Sequence, residues 1–320
     1  MKKITILDTD ITSSNLGNEI IMQGVFDFLH SSFQNDYLMR LECTDKIGPM
    51  SKKYILSSDL SFIGGSNLLT SQINQYKQIG FSFLDSFKIQ NMILIGVGWW
   101  QYQDKPNLIS RNFLRNLLSN RITHSVRDEY TKEKLTKIGI TNVLNTSCPS
   151  TWNLTETHCN EISKTKSDKA VFTLTDYNHE STFDSGFINM LIKKYEKVYF
   201  WPQGWNDMEY IKSLNIKDLE SIKIVPPYLK SFDDLLENND VDYVGTRLHA
   251  GIRAIQKKRR ALILSIDNRA SEISNDIGMN VVPREDIEKI EFFITNEQKT
   301  SIKIPHKNIE AWKAQFIDFK

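Results

Sequence analysis

The sequence has few cysteines and no long hydrophobic run. Three cysteines, Cys43, Cys148 and Cys159, occur in 320 residues, and their spacing suits neither a zinc site nor a disulfide framework, which fits a reducing cytosol. No stretch approaches the roughly 20 apolar residues of a membrane-spanning helix. The apolar N-terminal run is broken by Asp8 and Asp10, so it predicts a buried strand rather than a signal peptide. We therefore expect a cytoplasmic protein without a transmembrane segment, whose contact with the inner membrane face would be peripheral.

Neither sign of charge dominates the chain. Lys and Arg number 40 and Asp and Glu number 39, so the formal net charge is +1. A surface that binds nucleic acid in general needs an excess of basic residues to neutralise phosphates. The spacing of His, Cys, Asp and Glu shows no pattern of metal ligands. The sequence therefore predicts no nucleic-acid partner and no bound metal.

Short apolar runs alternate with helical patterns along the chain, which is typical of parallel sheets covered by helices. Predicted strands lie at residues 3–8, 60–63, 92–96, 121–126, 143–144, 170–174, 197–200, 222–225, 243–244 and 261–266, with helices that include residues 18–29 and 132–138. The length suits two cores, and polar residues 155–169 predict a linker. We expect an α/β protein with two Rossmann-like domains of mostly parallel sheets that face a central cleft.

The predicted domain boundaries follow from this pattern. Residues 1–158 form the N-terminal Rossmann-like domain and residues 159–305 the C-terminal one. Residues 306–320 carry Ile309, Trp312, Phe316 and Phe319 at helical spacing. We expect this last segment to form a helix that packs across the domain junction.

The run GTRLHAGIR at residues 245–253 follows a strand-like segment and begins a helical pattern. The first turn of a helix has unpaired N–H groups at the positive end of its dipole, which together favour an anion. Thr246 is the predicted N-cap. Arg247, His249 and Arg253 add two guanidinium groups and an imidazole. The segment therefore predicts a site for an anionic substrate that carries a phosphate or a carboxylate.

The RLH tripeptide at residues 247–249, with the helix, the strand and the DNR turn at residues 267–269 that follow it, resembles the polysaccharide pyruvyl transferase family. Three earlier segments are similar to motifs of that family and come in the same order: NLGNE at residues 15–19, GGSNLL at residues 64–69 and SVRD at residues 125–128. The resemblance spans roughly residues 1–280 and implies the same GT-B-like arrangement of two domains.

The resemblance also implies an activity. Members transfer the enolpyruvyl group of phosphoenolpyruvate to a sugar of a bacterial surface polysaccharide, such as a capsule or an exopolysaccharide, or to its lipid-linked precursor. The product is a cyclic pyruvate ketal. Phosphoenolpyruvate is a co-substrate, so no cofactor is expected.

The resemblance implies that Arg247 clamps the donor's phosphate and carboxylate, that the backbone N–H of Leu248 adds a hydrogen bond, and that His249 is the general acid. The alternative is structural: Arg247 pairs with an acidic neighbour and His249 caps the edge of a core. We expect these residues and the C-terminal domain to bind the donor, and the N-terminal domain to bind the acceptor.

Three further arginines are predicted to bind the donor. The family completes its donor site with an arginine from the opposite domain, which assigns that role to Arg127. Arg253 lies one helical turn after the imidazole, and Arg269 stands where many relatives carry lysine. The alternatives are an ion pair of Arg127 with Asp128 or Glu129, and a surface charge at a helix end for Arg269.

Loops and aromatic clusters at expected strand ends are candidates for acceptor binding. Glycine-containing loops let backbone approach a ligand closely, and the flat faces of Trp stack on sugar rings. The alternatives are plain turn geometry and buried core. The predicted acceptor-binding residues are Asn15, Gly17, Asn18, Gly64, Gly65, Ser66, Trp99, Trp100 and Trp205.

Two positions depart from the pattern of the family. Asn18 and Cys148 stand where relatives commonly carry Asp, so the base that activates the acceptor hydroxyl has no assignment. These departures leave open a non-catalytic relative that binds glycans. A GT-B glycosyltransferase that uses a nucleotide sugar also stays open, because it shares the architecture and the cationic donor pocket.

Overall fold

Parallel strands form the centre of each of two units in the computed structural model, which describes residues 1–317. The strands are β1 (Lys3–Asp8), β2 (Tyr37–Glu42), β3 (Leu60–Gly64), β4 (Met92–Ile95), β5 (His124–Val126), β6 (Val143–Asn145), β7 (Lys169–Thr173), β8 (Lys197–Phe200), β9 (Lys223–Ile224), β10 (Asp242–Gly245), β11 (Ala261–Ser265) and β12 (Val281–Pro283).

Helices connect these strands, as the alternating pattern predicts. They are α1 (Gly17–Ser32), α2 (Pro49–Leu56), α3 (Leu108–Leu117), α4 (Glu129–Lys137), α5 (Glu156–Asn160), α6 (Ser181–Lys194), α7 (Asp207–Ser213), α8 (Leu229–Asn238), α9 (Leu248–Gln256), α10 (Asn268–Ile277), α11 (Ile287–Thr295) and α12 (His306–Ala314). Short 3-10 turns occur at Phe83–Phe87, Pro149–Thr151 and Leu219–Ser221. The predicted linker at residues 155–169 contains α5, which Thr155 caps by accepting the N–H of His158 at 3.2 Å.

Contacts group the chain into a first unit (Met1–Ser13, Ile21–Trp152 and the described residues from Ile304 onward) and a second unit (Ser14–Ile20 and Asn153–Lys303). The sequence-based division placed residues 15–18 in the N-terminal domain, whereas the structure groups them with the second unit. The physical reason is pairing of this segment with the loop after β8, described below.

In the first unit the strand order is β2-β1-β3-β4, with all neighbours parallel. β5 and β6 form a second parallel pair. The pair joins β4 where the N–H of Gly96 donates to the carbonyl of Ser125 at 3.0 Å. Sheets of this kind hold ligands at the carboxyl ends of their strands, where the strand order reverses. In this unit the reversal lies between β1 and β3.

In the second unit the order is β12-β11-β10-β7-β8-β9, again with all neighbours parallel. Numbered from β7, this is the doubly wound order 3-2-1-4-5-6, whose reversal lies between β7 and β10. Gly245 pairs with Thr173 there. The predicted α/β class with mostly parallel sheets is confirmed.

Helix α12 packs within the first unit, against β5 and β6. Trp312 is fully buried: its ring centroid lies 4.7 Å from that of Phe28, and its Nε1 donates to the carbonyl of Thr123 at 2.8 Å. Ile309 and Phe316 are buried as well, and Phe319 lies outside the described residues. The helix predicted from residue 306 is therefore present, while its packing across the domain junction stays a prediction.

Candidate functional site

Helix α9 begins one residue later than the sequence predicts. Arg247, not Thr246, occupies the N-cap, with an extended backbone at φ −89° and ψ 105°. Strand pairing continues past β10, because the N–H of Thr246 donates to the carbonyl of Thr173 at 3.2 Å. The hydroxyl of Thr246 hydrogen-bonds that of Thr175 at 2.8 Å. These contacts hold Thr246 in the sheet, so the helix starts at Leu248.

Arg247 lies at the reversal point of the second sheet, with its guanidinium almost fully buried. Its Nε donates to the carbonyl of Leu174 at 2.9 Å, and its Nη2 donates to Asp176 at 3.0 Å and to Asp207. The side chain is 4% exposed. The pairing of Arg247 with an acidic neighbour, which the sequence left as the alternative to an anion clamp, is therefore present. Acidic residues from two other strand ends are the partners.

Asp207, the first residue of α7, is more buried than Asp176 and accepts more hydrogen bonds. Its carboxylate accepts the backbone N–H groups of Gln203 at 3.0 Å and of Gly204 at 2.7 Å, besides Arg247. Burial raises the pKa of Asp207, and the charge of Arg247 opposes that rise. A Cβ at position 204 would collide with Nη2 of Arg247, so a larger residue there would displace the guanidinium. Sequence patterns did not single out either residue.

Tyr177 brings two of the predicted donor-binding arginines together. The guanidinium carbon of Arg247 lies 5.6 Å from the centroid of its ring, and that of Arg269 lies 5.7 Å away. Arg269 also donates to the Tyr177 hydroxyl and, through Nε, to Asp267 at 3.0 Å. Two cations and an aromatic face therefore meet at the ends of β7, β10 and β11.

Leu248 and His249 form the first turn of α9, and both are buried at 6% exposure. Arg253, one turn further, makes a two-point ion pair with Asp233 of α8, at 2.6 Å from Nε and 2.5 Å from Nη2. Its Nη1 donates to Gln256 at 2.9 Å. Arg253 was predicted to bind the donor, but these contacts make it a link between α8 and α9.

The loop before α1 is joined to the loop after β8. Oδ1 of Asn15 accepts the N–H of Gly17 at 2.9 Å and Nε2 of Gln203 at 2.7 Å. The N–H of Trp205 donates to the carbonyl of Ser14 at 3.0 Å. Trp205 itself is 82% exposed. This segment therefore belongs to the edge of the second sheet that carries Arg247.

Asn18 follows in the first turn of α1 and is half-buried. It was predicted to bind the acceptor together with the segment before it. The contacts of Asn15 and Gly17 therefore place this whole predicted group in the second unit.

In the first unit, Arg127 is buried at the carboxyl end of β5, with 1% exposure. Its Nη1 donates to Oδ1 of Asn67 at 2.7 Å and its Nε donates to Asp128 at 3.1 Å. Its Nη2 lies 3.0 Å from the Asp128 carboxylate but outside hydrogen-bonding geometry, so this buried nitrogen has no hydrogen-bond acceptor. The guanidinium packs on Gly98, where a Cβ would overlap it. The ion pair that the sequence left as an alternative is therefore present.

The predicted glycine-rich turn lies beside Arg127. Gly64 ends β3, and Gly65 and Ser66 have positive φ angles of 58° and 60°. The carbonyl of Ser66 accepts the N–H of Gly98 at 2.8 Å. Three segments predicted separately from sequence are thus neighbours at one edge of the first sheet.

The aromatic cluster after β4 divides into a buried and a partly open part. Trp99 is fully buried, and its Nε1 donates to Gln103 at 3.0 Å. It belongs to the hydrophobic core of the first unit, so its predicted stacking on a sugar is wrong for this conformation. Trp100 is half-buried, and its ring centroid lies 4.7 Å from that of Tyr76.

The sequence profile described as polysaccharide pyruvyl transferase matches residues 15–268. The chain belongs to the polysaccharide pyruvyl transferase family. No curated protein matches the sequence. The family match confirms the resemblance carried by the RLH, VRD and glycine-rich segments.

Two solved structures are similar to this chain at low sequence identity. A structure of MnaA from S. aureus with UDP has a TM-score of 0.51 and 11% identity, over 93% of this chain and 92% of that chain. UDP-GlcNAc 2-epimerase from Neisseria meningitidis, bound to UDP-GlcNAc, gives a TM-score of 0.46 and 13% identity, over 93% and 95% of the two chains. The first likeness shows the α/β, GT-B-like fold of this pyruvyl transferase family member.

Cys148, one of the two departures from the family pattern, is a buried thiol. Its Sγ lies 3.0 Å from Oγ of Ser150, and burial raises its pKa above the ordinary value. A neutral thiol in this position does not take up a proton as a carboxylate would. Within residues 1–317 no group of three or more His, Cys, Asp or Glu side chains is placed to hold a metal ion. No helix there is long and apolar enough to cross a membrane.

Proposed function

We propose that this family member is a ketal pyruvyltransferase that uses phosphoenolpyruvate as its donor. Its acceptor is a sugar of a bacterial surface polysaccharide or of the lipid-linked precursor. The observation that carries the proposal is the position of Arg247, the N-cap of α9, and of Leu248 and His249 in its first turn, at the reversal point of the second sheet. Ligands of doubly wound sheets bind at that point, and a helix N-terminus there favours an anion.

The chemistry requires a proton donor beside an anion-binding group. A proton delivered to the enol methylene of phosphoenolpyruvate makes the neighbouring carbon electrophilic. One sugar hydroxyl adds to that carbon, phosphate leaves with its electron pair, and a second hydroxyl closes the ketal. His249 is the proposed proton donor, because an imidazole exchanges protons near neutral pH.

Arg247 is the proposed anion clamp. Its Nε and Nη2 are held by Leu174, Asp176 and Asp207, which fixes the plane of the guanidinium. No residue that the structure describes accepts a hydrogen bond from its Nη1. A guanidinium held in this way offers the remaining N–H groups to a phosphate or carboxylate without a further loss of side-chain entropy.

The proposed setting is the cytoplasm, with any membrane contact peripheral. All three cysteines are free and buried, which suits a compartment that keeps thiols reduced. A lipid-linked acceptor would then be reached from the inner face of the membrane. The roles of Arg127, Trp100 and Trp205 in binding donor or acceptor stay predictions.

The test is incubation of the purified protein with phosphoenolpyruvate and a panel of bacterial polysaccharide repeat units. We expect release of phosphate together with addition of a pyruvyl group, seen by mass spectrometry. Thermal-shift titrations with phosphoenolpyruvate and with nucleotide sugars run beside it. Stabilisation by nucleotide sugars alone would favour a glycosyltransferase, and acceptor binding without turnover of any donor would favour a non-catalytic relative.

A further inference from the structure

We propose that Asp176 is a displaceable counter-ion of Arg247. Its carboxylate occupies a position at Nη2 that an anionic group of the donor takes, and it moves into solvent when the donor binds. The inference rests on the proposed function in one respect, since it takes phosphoenolpyruvate as the donor.

Two carboxylates share a single nitrogen of Arg247, and they differ in burial. Nη2 donates to Oδ1 of Asp176 at 3.0 Å and to Oδ1 of Asp207. The side chain of Asp207 is fully buried, whereas that of Asp176 is 20% exposed. Water therefore reaches only Asp176, so only this carboxylate already borders the solvent into which it would move.

The two carboxylates also differ in how many groups hold them. Asp207 accepts the N–H groups of Gln203 and Gly204 in addition to Arg247, so its removal would leave two backbone donors without their acceptor. Among the described residues, Arg247 is the only hydrogen-bond donor to Asp176. A buried donor left unsatisfied is costly, whereas a carboxylate released to water is rehydrated. Asp207 is therefore the fixed partner and Asp176 the exchangeable one.

The local charges explain how this exchange would affect donor binding. Two carboxylates face the guanidinium of Arg247, and the nearby cation, Arg269, is paired with Asp267 at 2.6 Å. An incoming phosphate would meet an excess of negative charge while Asp176 stays in place. Departure of Asp176 leaves two carboxylates, Asp207 and Asp267, against the two guanidinium groups beside Tyr177, so the excess of negative charge is removed. Asp176 thus competes with the donor and keeps weak anions off the arginine.

The test compares anion binding by Asp176→Asn with that by the wild-type chain. Isothermal titration with phosphoenolpyruvate and with inorganic phosphate should give dissociation constants roughly two- to fivefold lower for Asp176→Asn, the range typical of a partly exposed charge pair. Asp176→Glu keeps the competing charge and should bind like the wild type. Asp207→Asn should bind more weakly, because Arg247 loses its fixed partner.

Asp168→Asn, an exposed acid of the same unit, is the matched control and should leave both constants unchanged. Asp176→Asn with unchanged or weaker binding of both anions would overturn the inference, and so would failure of every variant to bind either anion. If phosphate binds more tightly to Asp176→Asn while phosphoenolpyruvate binds to no variant, the counter-ion role stands and the proposed donor fails. If the wild type binds phosphoenolpyruvate and Asp176→Asn does not improve it, the donor stands and the counter-ion role fails.

Discussion

Gln203 donates a hydrogen bond from Nε2 to Oδ1 of Asn15, at 2.7 Å. The same oxygen accepts the N–H of Gly17 at 2.9 Å, in the turn that begins α1. The backbone N–H of Gln203 donates in turn to Asp207, the buried partner of Arg247. The early Asn-x-Gly motif and the arginine of the RLH motif therefore belong to one hydrogen-bonded chain.

This chain predicts the behaviour of two substitutions at position 15. Asn15→Ala removes the acceptor for two donors and should lower the free energy of unfolding by roughly 1–2 kcal/mol. Asn15→Asp keeps an acceptor for both donors and adds a negative charge at the N-terminus of α1, so it should unfold close to the wild type. Urea denaturation of both variants measures the difference. Equal destabilisation by Ala and Asp would contradict the assigned hydrogen bonds.

His249 is expected to affect the chemical step more than donor binding. His249→Ala should lower kcat by roughly 10²- to 10⁴-fold, the usual contribution of a general acid, while the dissociation constant for phosphoenolpyruvate changes little. Steady-state kinetics and titration of the same preparation separate the two effects. His306→Ala, at an exposed histidine of α12, is the control and should retain wild-type rates. Unimpaired product formation by His249→Ala would remove the acid assignment.

Replacement by alanine should affect protein stability strongly at Trp99 and only weakly at Trp205. Trp99→Ala opens a cavity in the core of the first unit and should lower the free energy of unfolding by about 3–5 kcal/mol. Trp205 is 82% exposed, so Trp205→Ala should change that free energy by less than about 0.5 kcal/mol. If Trp205 binds the acceptor, its replacement raises the acceptor KM instead. Thermal unfolding and acceptor kinetics of the pair test both statements.

The burial of His124 predicts that the free energy of unfolding falls in mild acid. His124 is fully buried, its Nδ1 accepts the N–H of Leu94 at 3.3 Å, and its Nε2 donates to the carbonyl of Ser119 at 2.9 Å. Burial lowers the pKa of His124 to about 4, from 6.5 in an exposed histidine. The unfolded chain therefore takes up a proton below pH 6.5 that the folded chain does not.

This contribution to stability is complete above pH 6.5 and is lost as the pH falls toward 4. Between pH 6.5 and 5 the wild type should lose roughly 2 kcal/mol of unfolding free energy through this group. His124→Gln has no imidazole, so its stability should change by that much less over the same interval. Denaturation curves at pH 7, 6 and 5 measure the slopes. Parallel slopes for the two proteins would show that His124 is not the titrating group.

The strands that the sequence missed lie at the edges of their sheets. β2 (Tyr37–Glu42) and β12 (Val281–Pro283) are each the first strand in the order of their sheet. Most of their side chains are exposed or only half-buried, and β12 ends in a proline. An edge strand lacks the continuous apolar run by which buried parallel strands are recognised. Interior strands such as β3 and β11 carry that run and were predicted close to their observed bounds.

The burial of Trp99 could not be predicted from the sequence either, because it depends on tertiary contacts. Trp99 follows β4 directly, where a strand end suggests exposure to a ligand. Its burial depends on Gln103, which accepts the indole N–H, and on the hydroxyl of Thr131 in α4, which accepts its backbone N–H at 2.9 Å. Those partners become neighbours only when α4 packs on the sheet.

By itself the sequence determined that Arg247, Leu248 and His249 stand where a buried strand passes into a helix, because apolar periodicity and strand-to-helix turns are properties of a short stretch of chain. Tertiary structure alone decided which charges face Arg247. Asp176 and Asp207 lie 71 and 40 residues away along the chain, on the loop after β7 and at the start of the helix α7 that follows β8. They meet the guanidinium because parallel pairing places the carboxyl ends of β7, β8 and β10 at one edge of the sheet, a consequence of strand order that local patterns do not contain.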